Sequence, residues 1–213
     1  MKRRKGVRGL LGVVGLLALL GVGAAATHYL YGPYNPGFLK YPTIVPFHVV
    51  LGGLYLALAP FQFVRRIRSG HLGYHRWAGR VLVSIGLVIG ATGVFMGLVI
   101  PIAGWIERGY ISVFGVLFLV ALVKGFVHVR AGKVALHREW MIRAFAIGLA
   151  VVTQRLIFIP ALLAVADPTQ GPVAPLSAVS FLAAFILHSS LAEVWIRLTR
   201  RSGVAGTRVA KGA

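Results

Sequence analysis

Long, uninterrupted apolar runs dominate the chain, and short polar segments separate them. The runs cover residues 10–30, 44–64, 78–100, 110–129, 140–164 and 175–198. Each is long enough for a helix that crosses a hydrocarbon core about 30 Å thick. The strands of a membrane barrel would instead be about ten residues long and would alternate apolar with polar positions. The pattern therefore predicts an all-α fold, a polytopic transmembrane bundle of about six helices.

The composition supports a membrane environment. Of the 213 residues, 58% are hydrophobic and only 13% are charged, whereas about a quarter of the residues in an average soluble domain carry a charge. The chain contains no cysteine. Disulfides, thiolate metal sites and cysteine nucleophiles are therefore excluded.

The distribution of charge predicts an orientation. The chain has 23 Lys and Arg against 4 Asp and Glu, an excess that in a soluble protein indicates nucleic acid. Here 19 of the 23 basic residues lie on one side of the six predicted spans, and two lie on the other. Because basic residues concentrate in cytoplasmic loops, we expect a multi-pass protein of the cytoplasmic membrane with both termini inside. We expect anionic lipids on that side and no nucleic acid.

The predicted domain organisation has three parts. Residues 1–9 form a basic cytoplasmic tail, residues 10–198 form the transmembrane helical domain, and residues 199–213 form a basic, disordered cytoplasmic tail. The first span also resembles a signal peptide, because basic residues precede it and three alanines, Ala24 to Ala26, lie in its second half. Its apolar stretch of 19 residues is longer than a typical signal core, which favours an uncleaved anchor. Cleavage would leave five spans in the same orientation.

A short parallel repeat relates the second and third spans to the fourth and fifth. In each copy a Phe-Val pair is followed by basic residues, a His-Arg pair and an apolar helix that contains Ile-Gly-Leu. Both copies run in the same direction, as in parallel repeats about an axis along the membrane normal. The repeat places His75 and His137 at the same depth, at the cytoplasmic ends of the third and fifth helices.

A family resemblance rests on the stretches ALAPFQFVRRIR, HRWAGR and HREWMIRAFA, followed by AVVTQR. Over roughly residues 45–160 the chain resembles an uncharacterised family of predicted bacterial multi-span membrane proteins, a domain of unknown function. HREWMIR is the most specific of these stretches. The resemblance implies a multi-span membrane protein and carries no activity or site.

The paired histidines are the first candidates for chemistry. Neutral imidazoles of His75 and His137 on facing helices could supply both axial ligands to the iron of a b-type haem in the bundle core. The propionates would then be neutralised by the neighbouring Arg76, Arg80, Arg138 and Arg143. In the alternative interpretation, each His-Arg-Trp segment only anchors a helix end at the membrane interface. A small b-type haem redox protein is the leading functional hypothesis from the sequence, and enzymatic activity stays open.

A second candidate site is polar and lies inside the predicted membrane spans. Arg155 and Gln154 are in the outer half of the fifth span, and His188 is near the middle of the sixth. Ionisable residues in a membrane are costly and are functional candidates by default. Snorkelling of Arg155 or a hydrogen bond from His188 to a neighbouring helix would be structural alternatives. This site favours a carrier or channel for a small solute, and a non-catalytic membrane subunit is the third hypothesis.

Three further patterns complete the predictions. The third span carries a glycine ridge on one face, formed by Gly79, Gly86, Gly90, Gly93 and Gly97. Such a ridge predicts close helix packing or, alternatively, a flat groove beside a planar cofactor or quinone. His28 and His48, at the outer ends of the first two spans, are either interfacial or part of an electron relay. Glu193 precedes Arg197 by four residues, which predicts an ion pair along the sixth helix.

Overall fold

The computed structural model describes residues 9, 12–21, 23, 36–164 and 173–211, the last eleven of them by backbone alone. Within these ranges the chain is helical and contains no strand. The helices are α1 (Gly12–Gly21), α2 (Ile44–Leu58), α3 (Arg65–Gly70), α4 (Leu72–Val99), α5 (Gly104–Arg130), α6 (Val134–Leu163) and α7 (Val173–Lys211), with 3-10 turns at Pro36–Lys40 and Ala59–Phe63.

Five segments are long and apolar enough to cross a membrane: Ile44–Phe63, Leu72–Val99, Gly104–Arg130, Val134–Leu162 and Val173–Arg200. They correspond to the second to sixth predicted spans. The described part of the first predicted span includes the short helix α1, and His28 lies outside the described residues. The predicted all-α, polytopic transmembrane bundle is confirmed.

Short connections make consecutive spans antiparallel. Residues 100–103 join α4 to α5, and residues 131–133 join α5 to α6. Each of α4, α5 and α6 packs on the next helix in the chain, while α2 packs on α4. The starts of α4 and α6 and the final turns of α5 therefore share one end of the bundle. We name it the basic end because its exposed cations include Arg65, Arg66, Arg68, Arg76, Arg80, Arg130, Lys133, Arg138, Arg197 and Arg200.

The helices extend beyond the predicted spans. Both α4 and α6 begin six residues earlier than predicted, at Leu72 and Val134, because basic residues fit helices well and their long side chains reach the interface. At the other end of the chain, α7 continues as helix to Lys211, through most of the predicted disordered tail. No proline follows Pro175, so nothing in this stretch forces the helix to end.

The centre of the bundle is closely packed by small residues. Ala144 and Ala184 are fully buried. A Cβ atom on Gly90 would lie 2.6 Å from Cδ2 of Leu119, and one on Gly86 would lie 2.8 Å from Cδ1 of Leu122. Leucine side chains of α5 therefore fill the space that these glycines leave, and the close helix packing predicted from the glycine ridge is confirmed.

The exterior suits a bilayer. Trp77 is 64% exposed at the basic end, and Trp105 is 80% exposed at the opposite end. Tryptophan is enriched at both membrane–water interfaces, where the amphipathic indole lies at the level of the headgroups. Between these two levels the helices expose many Leu, Val and Ile side chains, which is the surface that lipid tails cover.

Candidate ligand cavity in the membrane domain

A cavity of about 290 Å³ lies inside the bundle, in the half away from the basic end. Helices α2, α4, α5, α6 and α7 all contribute to its wall. Its aromatic lining consists of Phe38, Tyr55, Phe118, Phe158, Phe181 and Phe185. An engineered apolar cavity of about 150 Å³ holds benzene. The present cavity therefore has room for one substituted ring or a short chain.

Glycine is frequent in the wall. The lining includes Gly21, Gly52, Gly53, Gly90, Gly93, Gly97, Gly115 and Gly148. Side chains of neighbouring helices fill the space beside several of them: a Cβ atom on Gly90 would lie 2.6 Å from Cδ2 of Leu119, and one on Gly115 would lie 2.4 Å from Cγ2 of Val94. A Cβ atom on Gly52, by contrast, would meet nothing within 4 Å.

Arg155 and Gln154 lie together at the cavity wall. Gln154 is only 4% exposed, and its Nε2 donates to Oγ of Ser180 at 3.4 Å. Nη1 of Arg155 donates to Oε1 of Gln154 at 3.3 Å and to the carbonyl oxygen of Val151 at 3.0 Å. The wall of α6 therefore brings a guanidinium and a carboxamide to a largely apolar space.

His48 of α2 lines the same cavity. Its Nδ1 lies 2.8 Å from Oγ1 of Thr92, and the Thr92 hydroxyl donates to the carbonyl oxygen of Val88 at 2.8 Å. The contact between His48 and Thr92 joins α2 to α4.

Glu107 is a cavity residue that the sequence analysis did not select. It is 3% exposed, and its carboxylate accepts a hydrogen bond from the backbone N–H of Ala103. A carboxylate in the first turn of α5 is also favoured by the helix dipole. The available signal was its position, since an acid at the start of an apolar span is rare in this chain.

His188 stands apart from the other two residues of the predicted polar site. It is buried, and its Nε2 lies 2.7 Å from Oγ1 of Thr153. This hydrogen bond joins α7 to α6, which is the structural alternative that the sequence left open. His188 does not belong to the cavity lining, whereas Arg155 and Gln154 do.

His75 and His137 lie in the first turns of α4 and α6, at the basic end. They are close enough for their charges to interact. Nδ1 of His137 donates to the carbonyl oxygen of Gly125 at 2.8 Å, so its Nε2 is the acceptor nitrogen. Nδ1 of His75 is buried and takes part in no hydrogen bond with the described residues. Neither histidine lines the cavity.

The four arginines that the sequence grouped with these histidines differ in environment. Arg76, Arg80 and Arg138 are exposed. The fourth, Arg143, donates through Nε to Oε1 of Glu193 at 2.5 Å and lies over the ring of Trp140.

This ion pair corrects the prediction for Glu193. The carboxylate pairs with Arg143 of α6 rather than with Arg197, because it lies at the surface where α7 packs on α6. Glu139 of α6 pairs in the same region with Arg200 of α7. These are the two ion pairs within the described ranges, and both join α6 to α7.

Within the described residues, histidine and acidic side chains form no larger group than the pairs given above. Across the parts of the chain that the structure describes, no group of three or more His, Cys, Asp or Glu could hold a metal ion. His75 and His137 would together supply two protein ligands, the number that a haem iron takes from bis-histidine ligation.

The fold and the cavity define an integral, polytopic helical membrane protein. Residues 45–196 match the family described as predicted membrane protein (DUF2306), and the chain belongs to this family. The match confirms the resemblance seen in the sequence and extends it to α7. The family's description places it in the membrane and names no activity. No curated protein and no solved structure matches the chain significantly.

Proposed function

We propose that the protein binds a small, largely apolar molecule with a polar group inside the membrane, as a carrier or receptor for that molecule. One observation carries the proposal: the guanidinium of Arg155 lines an intramembrane cavity whose walls are mainly aromatic, aliphatic and glycine residues. Ligand sites are usually apolar cavities with a few polar groups that fix orientation.

The cost of these polar groups supports binding over a structural role. A charged side chain at the depth of α6 is unfavourable unless it contacts protein, water or ligand. Two consecutive polar residues of α6, Gln154 and Arg155, line one wall of the cavity.

The test fills the cavity without disturbing the helices. A Cβ atom on Gly52, which lines the cavity, would meet nothing within 4 Å. Gly109 has the same open surroundings but lies outside the lining, so Gly109→Leu is the matched control for Gly52→Leu. Thermal unfolding is measured with a panel of lipophilic acids, alcohols and phenols.

A ligand at about 100 times its Kd stabilises a protein by about 2.7 kcal/mol. We expect at least one panel member to stabilise the unmodified protein and Gly109→Leu but not Gly52→Leu. The proposal fails if no compound stabilises the unmodified protein, or if Gly52→Leu responds equally.

A b-type haem redox protein is the second candidate function, and the placement of His75 and His137 favours it. The hydrogen bond from His137 to Gly125 directs a ring nitrogen lone pair away from α5, as a second-shell partner does for a metal ligand. The buried, unbonded Nδ1 of His75 would gain a partner. His75 and His137 would hold the iron, and Arg76, Arg80 and Arg138 would face the propionates. A bound haem would supply one-electron transfer.

An absorption spectrum tests this second candidate. Protein expressed with abundant haem should show a low-spin Soret band, and His75→Ala and His137→Ala should each lose it or convert it to high spin. Colourless protein would reject the haem hypothesis. If the spectrum is unchanged in both variants, other residues must ligate the iron, and His48 and His188 are the candidates among the described residues.

We further propose that the basic end faces the cytoplasm, in the cytoplasmic membrane, against anionic lipids. The exposed Lys and Arg of the basic end support this, against the exposed Lys40 and Arg108 at the opposite end. A reporter active only outside the cytoplasm should be silent when fused after Lys211 and active when inserted near Gly171. The reverse pattern would show that the basic end faces away from the cytoplasm.

A further inference from the structure

We infer that the bundle carries, near the basic end, a discrete binding site for one anionic phospholipid, centred on Lys124 of α5 and Trp140 of α6. The lipid phosphate contacts the ammonium of Lys124, and an acyl chain follows the outer face of α5. The site is separate from the cavity. It also goes beyond the proposed contact of the basic end with anionic lipids, because it names the position at which a single lipid molecule is held.

Lys124 and Trp140 lie at the same depth in the membrane. Helices α5 and α6 are antiparallel neighbours, joined by residues 131–133. Lys124 lies six residues before the end of α5, and Trp140 lies six residues after the start of α6. This distance is about 9 Å along each helix. From this depth the long side chain of a lysine brings its ammonium towards the headgroups, where tryptophan is also enriched.

The ammonium of Lys124 has no carboxylate partner among the described residues. Its Nζ lies 4.9 Å from the centroid of the Trp140 ring, and the ion pairs of the described chain use Arg143 and Arg200 instead. A cation in a membrane-spanning segment is costly unless an opposite charge or polar group faces it. The indole ring compensates for part of that cost. A lipid phosphate supplies the counter-ion that the protein does not.

The outer face of α5 offers a path for an acyl chain. Lys124 is exposed, and a stripe of exposed valines at spacings of three or four residues runs past it: Val116, Val120, Val123 and Val127. Residues with these spacings share one face of a helix. The stripe leads from the level of Lys124 towards the middle of the membrane. Because valine side chains are already restricted in rotamer, packing a chain against them costs little side-chain entropy.

The charge of the site selects an anionic headgroup. A second cation lies over the same indole, since Cζ of Arg143 is 4.7 Å from the centroid of the Trp140 ring. The charge of Arg143 is matched by Glu193, whereas that of Lys124 is left to the lipid. Basic pockets between transmembrane helices bind anionic headgroups in this way. A zwitterionic headgroup brings a positive charge of its own close to Lys124 and therefore gains less.

Native mass spectrometry of the purified full-length protein measures the binding of phosphatidylglycerol and of phosphatidylcholine with identical acyl chains. Lys124→Met removes the charge and keeps a long apolar side chain at a position that faces lipid. Lys133→Met is the matched control, because Lys133 is exposed in the connection between the same two helices. Lys124→Arg tests rescue by another cation. Circular dichroism verifies that the variants keep their helices.

We expect the unmodified protein to bind phosphatidylglycerol more tightly than phosphatidylcholine. Lys124→Met should weaken the binding of phosphatidylglycerol about fivefold, the factor that corresponds to about 1 kcal/mol for one lysine near an anionic surface. The binding of phosphatidylcholine should not change. Lys133→Met and Lys124→Arg should keep the affinity of the unmodified protein for phosphatidylglycerol.

Three results would overturn the site. Equal weakening in Lys124→Met and Lys133→Met would show a general attraction to the basic end. Equal binding of the two lipids, or an unchanged affinity for phosphatidylglycerol in Lys124→Met, would show that Lys124 holds no anionic headgroup. Full displacement of phosphatidylglycerol by inorganic phosphate would show that the acyl chains contribute nothing and that the ligand is a free anion. These results are independent of the cavity, which Gly52→Leu tests.

Discussion

The two halves of the bundle use similar polar residues in different ways. At the basic end, Arg143 and Arg200 pair with Glu193 and Glu139 across the contact between α6 and α7. In the other half, Arg155 donates to Gln154 and to the carbonyl oxygen of Val151 on its own helix, and it lines a cavity. The arginines of the basic end join two helices, whereas Arg155 is a candidate for binding because of the cavity beside it.

Small residues bring the helices close together in both halves. Ala144 and Ala184 are fully buried at the centre of the bundle. Towards the end opposite the basic end, a Cβ atom on Gly97 would lie 2.3 Å from Cγ2 of Ile111, and one on Gly115 would lie 2.4 Å from Cγ2 of Val94. Side chains of neighbouring helices therefore fill the space beside these glycines, which also line the cavity.

The largest expected effect comes from the glycine ridge that borders both regions. Gly90→Leu should destabilise the protein by about 1–3 kcal/mol or more, because the added atoms would overlap Leu119 and Phe118. Thermal unfolding in detergent measures the loss. Val88→Leu is the control, since Val88 is 38% exposed on the neighbouring face. Equal stability of the two variants would mean that this face of α4 does not pack on α5.

An intermediate effect is expected at the basic end. Glu193→Gln removes the charge that pairs with Arg143, whose side chain is 23% exposed. We expect a coupling energy of about 1 kcal/mol from a double-mutant cycle with Arg143→Gln, because the pair is only partly shielded from solvent. Additive losses in the two single variants would show that the pair does not contribute to stability.

The sequence predicted the spans well because continuous apolar runs are unambiguous. It missed the helix starts at Leu72 and Val134, since charged residues near an interface are compatible with both loop and helix. The shared depth of His75 and His137 followed from the repeat. The partner of Glu193 did not follow, because Arg143 is fifty residues away and the pairing depends on how two helices face each other.

The candidate site was predictable in part. Arg155 and Gln154 were selected because polar residues inside a span are exceptional. Their neighbours His48 and Glu107 come from two other helices, and no local pattern connects them. His188 was grouped with Arg155 by depth alone, whereas its bond to Thr153 depends on the rotation of α7. The position of a residue along its helix follows from the sequence. Which neighbours it faces in the bundle depends on how the helices pack.

The smallest expected change in stability is at the cavity. Arg155→Leu should shift the ligand-free unfolding temperature less than Gly90→Leu, since its hydrogen bonds to Gln154 and Val151 lie within α6, whereas a side chain at position 90 would overlap Leu119. Its ligand affinity should fall about tenfold with the loss of a charged hydrogen bond. Arg155→Lys should retain part of the affinity. A large loss of stability with unchanged ligand affinity would mean that Arg155 stabilises the bundle and does not bind the ligand.

The most direct test of the cavity is to identify what it holds in the cell. Protein purified in mild detergent is washed, extracted with organic solvent and analysed by mass spectrometry, together with Gly52→Leu and Gly109→Leu. We predict one small lipophilic compound at near-stoichiometric amount in the unmodified protein and in Gly109→Leu, and its loss in Gly52→Leu. Bulk phospholipid alone, or the same compound in equal amounts in all three, would contradict a ligand cavity.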